Sequence, residues 1–177
     1  MAIDKVTSAS IATDAVGPTQ LNEASNYDFT GTVTGATGTQ NHFRALKTSN
    51  QNPTNNVYTK VTFNTEEYDT SSTYDHSNNK FVPANGSVWL LTAQLNISGE
   101  PHGLQAARCR LTKNGSNIHT VYCDTYDVDS NIMSPILSHI ITGNGSDYYE
   151  LYVQIYCPST TPELQSNSYF QGVQIFT

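Results

Sequence analysis

Charge is scarce in this sequence. Asp, Glu, Lys and Arg make up 13% of its 177 residues, against about 25% in an ordinary soluble domain. The charge that is present leans acidic, eight Lys and Arg against fifteen Asp and Glu, for a net of −7. The basic residues are scattered, with no cluster to neutralise a row of phosphates, so nucleic acid is not expected as a partner. Long apolar runs are missing too. None approaches the ~18 residues that carry a helix across a bilayer, and membrane insertion is not expected. The opening MAIDKVTSAS lacks the apolar centre of a signal peptide, which predicts synthesis and folding in a cytoplasm. Cysteine occurs three times, at Cys109, Cys123 and Cys157. The odd count and wide spacing argue against a disulfide framework and a thiolate zinc site, so the three are read as free thiols buried like small hydrophobes.

Signatures of catalysis are also missing. There is no Gly-x-Ser-x-Gly elbow, phosphate loop, Gly-rich dinucleotide turn or His-Glu-x-x-His, and the five His (His42, His76, His102, His119, His139) stand apart from one another. A polysaccharide depolymerase needs two carboxylates ~5–9.5 Å apart in a groove. Glu66 and Glu67 are adjacent, and on a strand they would point to opposite faces. No enzyme and no cofactor are therefore expected. One acidic stretch resembles a metal loop: Asp127, Asp129 and Asn131 match the first three ligand positions of an EF-hand. Ile132 replaces its glycine and Ser138 its closing glutamate, so the EF-hand reading fails. Asp124, Asp127 and Asp129 remain calcium candidates against the plainer reading of a solvated acidic loop.

What the chain does have is eleven Tyr, six Phe and a wealth of Ser, Thr, Asn and Gly, the composition of short strands joined by polar turns. Trp89, Leu91, Ala93, Leu95 and Ile97 occupy every second position, as on a half-buried strand. Ala107, Cys109 and Leu111 repeat the pattern, as do Tyr149, Leu151, Val153, Ile155 and Cys157. A β-rich run covers residues 57–63, and residues 118–122, 133–142 and 169–176 supply shorter strands. Asn-Gly occurs three times, each time followed by Ser: Asn85-Gly86, Asn114-Gly115 and Asn144-Gly145. That pair favours type I′ hairpin turns, predicted for the second and third. The same triplets and Asn96-Ile97-Ser98 fit a glycosylation pattern, but turns account for them better. With no amphipathic helix anywhere, residues 42–177 predict an all-β antiparallel sandwich. The core should hold Phe63, Phe81, Trp89, Leu91, Leu95, Ile97, Leu111, Leu151, Val153 and Ile155.

Residues 1–41 are different. More than half are Ala, Gly, Ser or Thr, and the large apolar residues Ile3, Val6, Ile11, Val16 and Leu21 come singly. Ile11, Val16 and Leu21 lie five apart, matching neither helix nor strand. Such a segment cannot bury a face of its own. It reads as an extended arm that lies on another surface or intertwines with its copies; the alternative is a disordered tail.

The order of strand landmarks carries a resemblance. Lys60-Val61-Thr62-Phe63-Asn64, Tyr74-Asp75, Phe81, Pro83, Gly86 and Trp89, with the closing Ser168-Tyr169-Phe170-Gln171-Gly172, resemble the globular head of complement-type collagenous proteins, related to the tumour necrosis factor jelly roll. The likeness covers residues 42–177 and implies a jelly roll that assembles as a homotrimer, with aromatic faces buried between subunits. On that implication Tyr148, Tyr152 and Tyr156, on the outward side of a strand, are interface candidates with Phe170 and Gly172. Gly172 would permit close backbone approach at a subunit contact.

A second resemblance lies in residues 11–35. Asp14-Ala15-Val16-Gly17, Gln20-Leu21 and Tyr27-Asp28-Phe29-Thr30-Gly31 resemble the opening of structural proteins from marine tailed phages. This implies a virion location: a head fibre, capsid decoration, neck fibre or tail fibre, attached to other virion proteins through Ile3, Val6, Ile11, Val16, Leu21, Tyr27 and Phe29. The competing reading is a module that recognises a host-surface glycan or protein, with Tyr68, Tyr74 and Tyr126 stacking on sugars.

Overall fold

The computed structural model describes residues 40–99, 103–125, 130–158 and 160–176. Residues 1–39 of the arm, with all seven attachment candidates, lie outside the described residues. Among those described there is no helix, and the strands run β1 (His42–Leu46), β2 (Thr59–Lys60), β3 (Thr65–Asp69), β4 (Tyr74–Asp75), β5 (Lys80–Phe81), β6 (Val88–Gln94), β7 (Ile97–Ser98), β8 (Ala106–Lys113), β9 (Ser116–Asp124), β10 (Ile132–Met133), β11 (Ile136–Thr142), β12 (Tyr149–Tyr156), β13 (Glu163–Leu164) and β14 (Tyr169–Phe176). A five-stranded sheet has the order β11-β6-β14-β1-β3. A six-stranded sheet runs β4-β5-β12-β8-β9, with β2 also on β12, and β10-β7-β13 make a small third sheet. Every pairing is antiparallel. The fold is an antiparallel jelly-roll sandwich.

Alternation decides what goes inside. Because strand side chains alternate in direction, β6 turns Trp89, Leu91 and Ala93 inward, and all three are fully buried. The same holds for Ala107, Cys109 and Leu111 of β8 and for Leu151, Val153 and Ile155 of β12. All ten predicted core residues are no more than 3% exposed. Phe43 and Ala45 of β1 join them at 0%, although the sequence reading did not single them out.

Phe43 is the centre of the interior. Its ring stacks on Phe81 (4.6 Å between centroids) and Tyr74 (5.2 Å) of the six-stranded sheet and meets Phe170 edge-on (5.2 Å) from its own sheet. Phe81 in turn sits edge-on to Trp89 at 4.8 Å. Burying a ring of this size is worth about 1.5–3 kcal/mol, and each such pair adds roughly 0.5–1.5 kcal/mol. Trp89 satisfies its indole by donating Nε1–H to Ser87 Oγ at 2.9 Å.

Several expectations change at strand ends. The run from Trp89 to Ile97 divides between β6 and β7, because at the break Leu95 N–H donates to the Pro135 carbonyl (3.2 Å) and Asn96 N–H to Ser168 Oγ (2.9 Å). Residues 133–142 divide between β10 and β11 around Pro135, which has no N–H to give a ladder. Of residues 57–63 only Thr59–Lys60 is a strand, since side chains take over the ladder: Gln51 Oε1 accepts from Thr62 N–H and Asn79 Oδ1 from Phe63 N–H. Asn114 (φ 51°) and Gly115 (φ 78°) form the predicted turn between β8 and β9, both left-handed as type I′ requires. Asn144 and Gly145 do not make a hairpin. They connect β11 to β12 across the two sheets, and Asn144 Oδ1 caps the N–H groups of Ser146 and Asp147.

Phe170 and Gly172 belong to the interior of the subunit, which corrects their assignment to a subunit contact. Phe170 is 1% exposed. A Cβ added at Gly172 would lie 2.6 Å from Phe43 Cε1 and 2.9 Å from Leu91 Cδ2, so the close approach the glycine permits is to its own chain. Gly172→Ala is expected to cost about 1–3 kcal/mol by overpacking, read as a lower urea midpoint at unchanged slope. Combining it with Phe43→Leu, which makes room, should recover part of the loss relative to Phe43→Leu alone.

Candidate interaction surfaces

With the core filled, chemistry is left to the outer faces of the two large sheets, and the faces differ. On the five-stranded sheet the register aligns Ile140, Leu90, Val173 and His42 in one row across β11, β6, β14 and β1. Their neighbours on β11 and β6 in sequence face inward, so this row faces out. Ile140 is 61% exposed, Ile136 two outward positions along the same strand 61%, and Phe176 at the end of β14 69%. Beside the row lies a shallow cleft lined by His42, Tyr68, Leu90, Thr92, Gln171 and Val173. Ile140, Leu90 and Val173 make this row apolar, whereas the adjacent outward row, Ser138, Thr92, Gln171 and Arg44, is polar. The sequence predicts residues 133–142 and 169–176 only as short strands, and no local pattern shows that Ile140, Leu90 and Val173 meet.

The outer face of the six-stranded sheet is aromatic and polar. Tyr148, Tyr152 and Tyr156 lie here, on the opposite sheet from the exposed isoleucines. Tyr148 lies beside the Lys80 ammonium, 5.7 Å from the ring centroid. The Tyr152 hydroxyl donates to Glu150 at 3.4 Å, and burial with the neighbouring Glu150 raises that phenol's pKa. Tyr156 is partly exposed. The first two are thus engaged within their own chain.

The remaining candidates are dispersed. Asp124 is exposed at the end of β9, while Asp127 and Asp129 lie outside the described residues. Among the described residues no group of three or more His, Cys, Asp or Glu is placed to hold a metal. Tyr74 is 5% exposed and packed on Phe43, so it is not available to a sugar. Tyr68 is partly exposed, edge-on to His42 at 5.0 Å, and Tyr126 lies outside the described residues. All three cysteines are free. Burial pushes the Cys109 thiol up to about 12, with Cys123 adding to the shift.

The histidines are not all isolated. His119 of β9 and His139 of β11 meet edge to face, with centroids 5.1 Å apart, where the open margins of the two sheets converge. Twenty residues of sequence separate them, so no motif could reveal the pair. Burial lowers the His139 pKa from 6.5, and the His119 charge lowers it further. Folding thus favours neutral His139, whereas the unfolded chain takes up its proton near the ordinary value. Stability should therefore fall as pH drops through about 6.5 and level off below the depressed folded value. Melting temperatures between about pH 7.5 and 5.5 should decline less steeply for His139→Gln than for the parent; equal slopes would assign the pH dependence to other groups.

No family model and no curated protein matches the chain. Solved structures do. The globular domain of zebrafish complement 1qA protein is similar at a TM-score of 0.54 and 13% identity, over 77% of this chain and 98% of that one. Murine APRIL at pH 5.0 is similar at a TM-score of 0.58 and 7% identity, over 77% and 99%. At such identities the likeness is one of fold: residues 40–176 carry a jelly roll of the complement-head and tumour necrosis factor type.

Proposed function

We propose that this chain is a non-enzymatic structural protein of a bacteriophage virion, a homotrimeric fibre or spike. Residues 1–41 serve as the attachment arm, and residues 42–177 form a knob turned outward. The observation that carries the self-association is the apolar row Ile140–Leu90–Val173 on the outer face of the five-stranded sheet, with Ile136 beside it on the edge strand. Strand β11 is an edge strand of seven residues bearing two isoleucines each 61% exposed. A bare apolar edge invites uncontrolled pairing, and a closed assembly removes that hazard. An edge of one subunit laid on the sheet face of the next is a heterologous contact, which closes into a ring when the rotation allows. Three copies is the number that the complement-head resemblance implies.

This reading moves the interface from Tyr148, Tyr152 and Tyr156 to Ile136, Ile140, Leu90 and Val173. The reason is physical: Tyr148 and Tyr152 already have partners in their own subunit, whereas the isoleucines have apolar surface to bury. The virion assignment is supported by the phage-like stretch at residues 11–35, and the protein is taken to fold in the host cytoplasm before assembly. The low charge and absence of catalytic motifs support a structural role without enzymatic activity.

Light scattering on the purified chain should give three times the single-chain mass of 19.4 kDa. Ile136→Lys with Ile140→Lys should lower it to one while leaving the far-ultraviolet circular dichroism unchanged; a wild-type monomer at micromolar concentration would refute the assembly. Antibody to residues 42–177 should decorate intact particles in electron micrographs, and deletion of residues 1–41 should abolish incorporation. Particles that carry the truncated chain as well as the full one would remove the arm from the attachment role.

A further inference from the structure

The positive charges of this acidic chain are distributed unevenly in their pairing. Seven of the eight Lys and Arg fall within the described residues. Four pair with carboxylates: Arg44 with Glu67, Lys60 with Glu150, Lys80 with Asp75 and Lys113 with Asp147. Lys47 is buried, donating to the Thr62 carbonyl at 2.9 Å and to Gln51 at 3.3 Å. That leaves Arg108 and Arg110, which have no carboxylate partner among the described residues. They stand two apart on β8, on the same outward face, ~6.6 Å from one another along the strand.

Both guanidinium groups are held by neutral neighbours. Arg110 Cζ is 3.3 Å from the centroid of the Tyr58 ring. Arg108 Cζ is 5.2 Å from that of Tyr122, and its Nη1 donates to Gln154 Oε1 at 2.8 Å. Gln154 is fixed in turn by donating Nε2–H to the Asn56 carbonyl at 2.8 Å. The Nε of each arginine is shielded from solvent without an acceptor. Around this pair the sheet presents flat aromatic surface, Tyr122 at 60% exposure in the Arg108 row and Tyr156 at 39% one step along β12.

A guanidinium pre-set on an aromatic ring loses little freedom when it takes a carboxylate or sulfate in its fork. An exposed tyrosine beside it can cover the apolar face of a sugar ring. Two such cations are too few to hold a nucleic acid, whose affinity comes from many neutralised phosphates, but they suffice for an anionic group on a sugar. We propose that Arg108, Arg110, Tyr58, Tyr122, Gln154 and Tyr156 form a binding site for acidic glycans, sugars carrying carboxylate or sulfate. The site deepens the proposed role of an outward knob by naming what the knob holds. It lies on the sheet not used for self-association, so an assembly would display several copies and gain avidity.

The test uses the full chain against three immobilised probes: oligogalacturonate (carboxylate), sulfated dextran (sulfate) and plain dextran. One or both acidic probes should be bound and plain dextran not, with weaker binding at about 500 mM than at about 50 mM sodium chloride; the two acidic arms decide which anion is preferred. Arg108→Gln with Arg110→Gln should lower affinity about tenfold or more, and Tyr122→Ala about fivefold without any change of charge. Lys80→Gln, which removes a paired cation elsewhere, should retain the parent's affinity. Equal binding to plain dextran, an unchanged affinity in the arginine double variant, or an equal loss in Lys80→Gln would overturn the site. Light scattering on the same samples separates the two ideas. A trimer that ignores all three probes sinks only the glycan site, and a monomer that binds through the arginines sinks only the assembly.

Discussion

The contact between Phe43 and the rings of Phe81 and Tyr74 is the joint on which this sandwich depends. Phe43 belongs to β1 in one sheet, and its stacking partners belong to β5 and β4 in the other. Through Phe170 and Trp89, β14 and β6 of its own sheet lean on the same ring. Packing at this density leaves no slack: Gly172 is a glycine because the Phe43 ring occupies the place a methyl group would need. A single aromatic thus sets the sheet separation, fixes the path of the last strand and explains a glycine once read as a subunit contact.

Because the interior takes one side of the central strands β1, β6, β8, β12 and β14, the two outer faces are free to differ, and they do. One carries isoleucine, leucine and valine in register, the chemistry of a surface that is to be covered. The other carries Tyr122, Tyr152, Tyr156, Arg108 and Arg110, aromatic and cationic side chains side by side. In the proposed assembly, the sandwich associates through the row Ile140–Leu90–Val173 and presents Arg108 and Arg110 on the opposite sheet, while Arg44, also on the first face, is paired with Glu67.

The low charge of the chain has a structural counterpart. Many turn and strand-end backbone groups are satisfied by neutral amides and hydroxyls, with Asp69 and Asp75 accepting from the N–H groups of Ser71, Tyr74 and Asn78. Asn55 bonds both the N–H and the carbonyl of Cys157 (2.9 and 3.1 Å), Asn64 accepts from Thr48 N–H, Asn79 from Phe63 N–H, and Ser168 from Asn96 N–H. These side chains interrupt regular ladders, as along residues 57–63, and yet leave the backbone paired. Asparagine also tolerates the left-handed backbone at Asn56, Asn79, Asn114 and Asn167. The Asn-rich composition therefore specifies where strands stop as well as where they turn.

Local pattern alone determined a good deal. Period-2 alternation identified the inward residues of β6, β8 and β12, since burial of one strand face is written in neighbouring residues. Asn114-Gly115 gave its turn, because backbone handedness is a property of the residues themselves. The jelly roll itself came through the family resemblance carried by the ordered landmarks from Lys60 to Trp89, beyond what local pattern shows. Tertiary structure decided what depends on residues far apart in the chain. It set Phe43 at the centre, sent Phe170 and Gly172 inward, and turned the Asn144-Gly145 link into a crossing between sheets. It brought His119 to His139 and aligned Ile140, Leu90 and Val173 across three strands. Those facts follow from strand order and register, which are fixed only when the whole sandwich closes and every strand competes for the same interior.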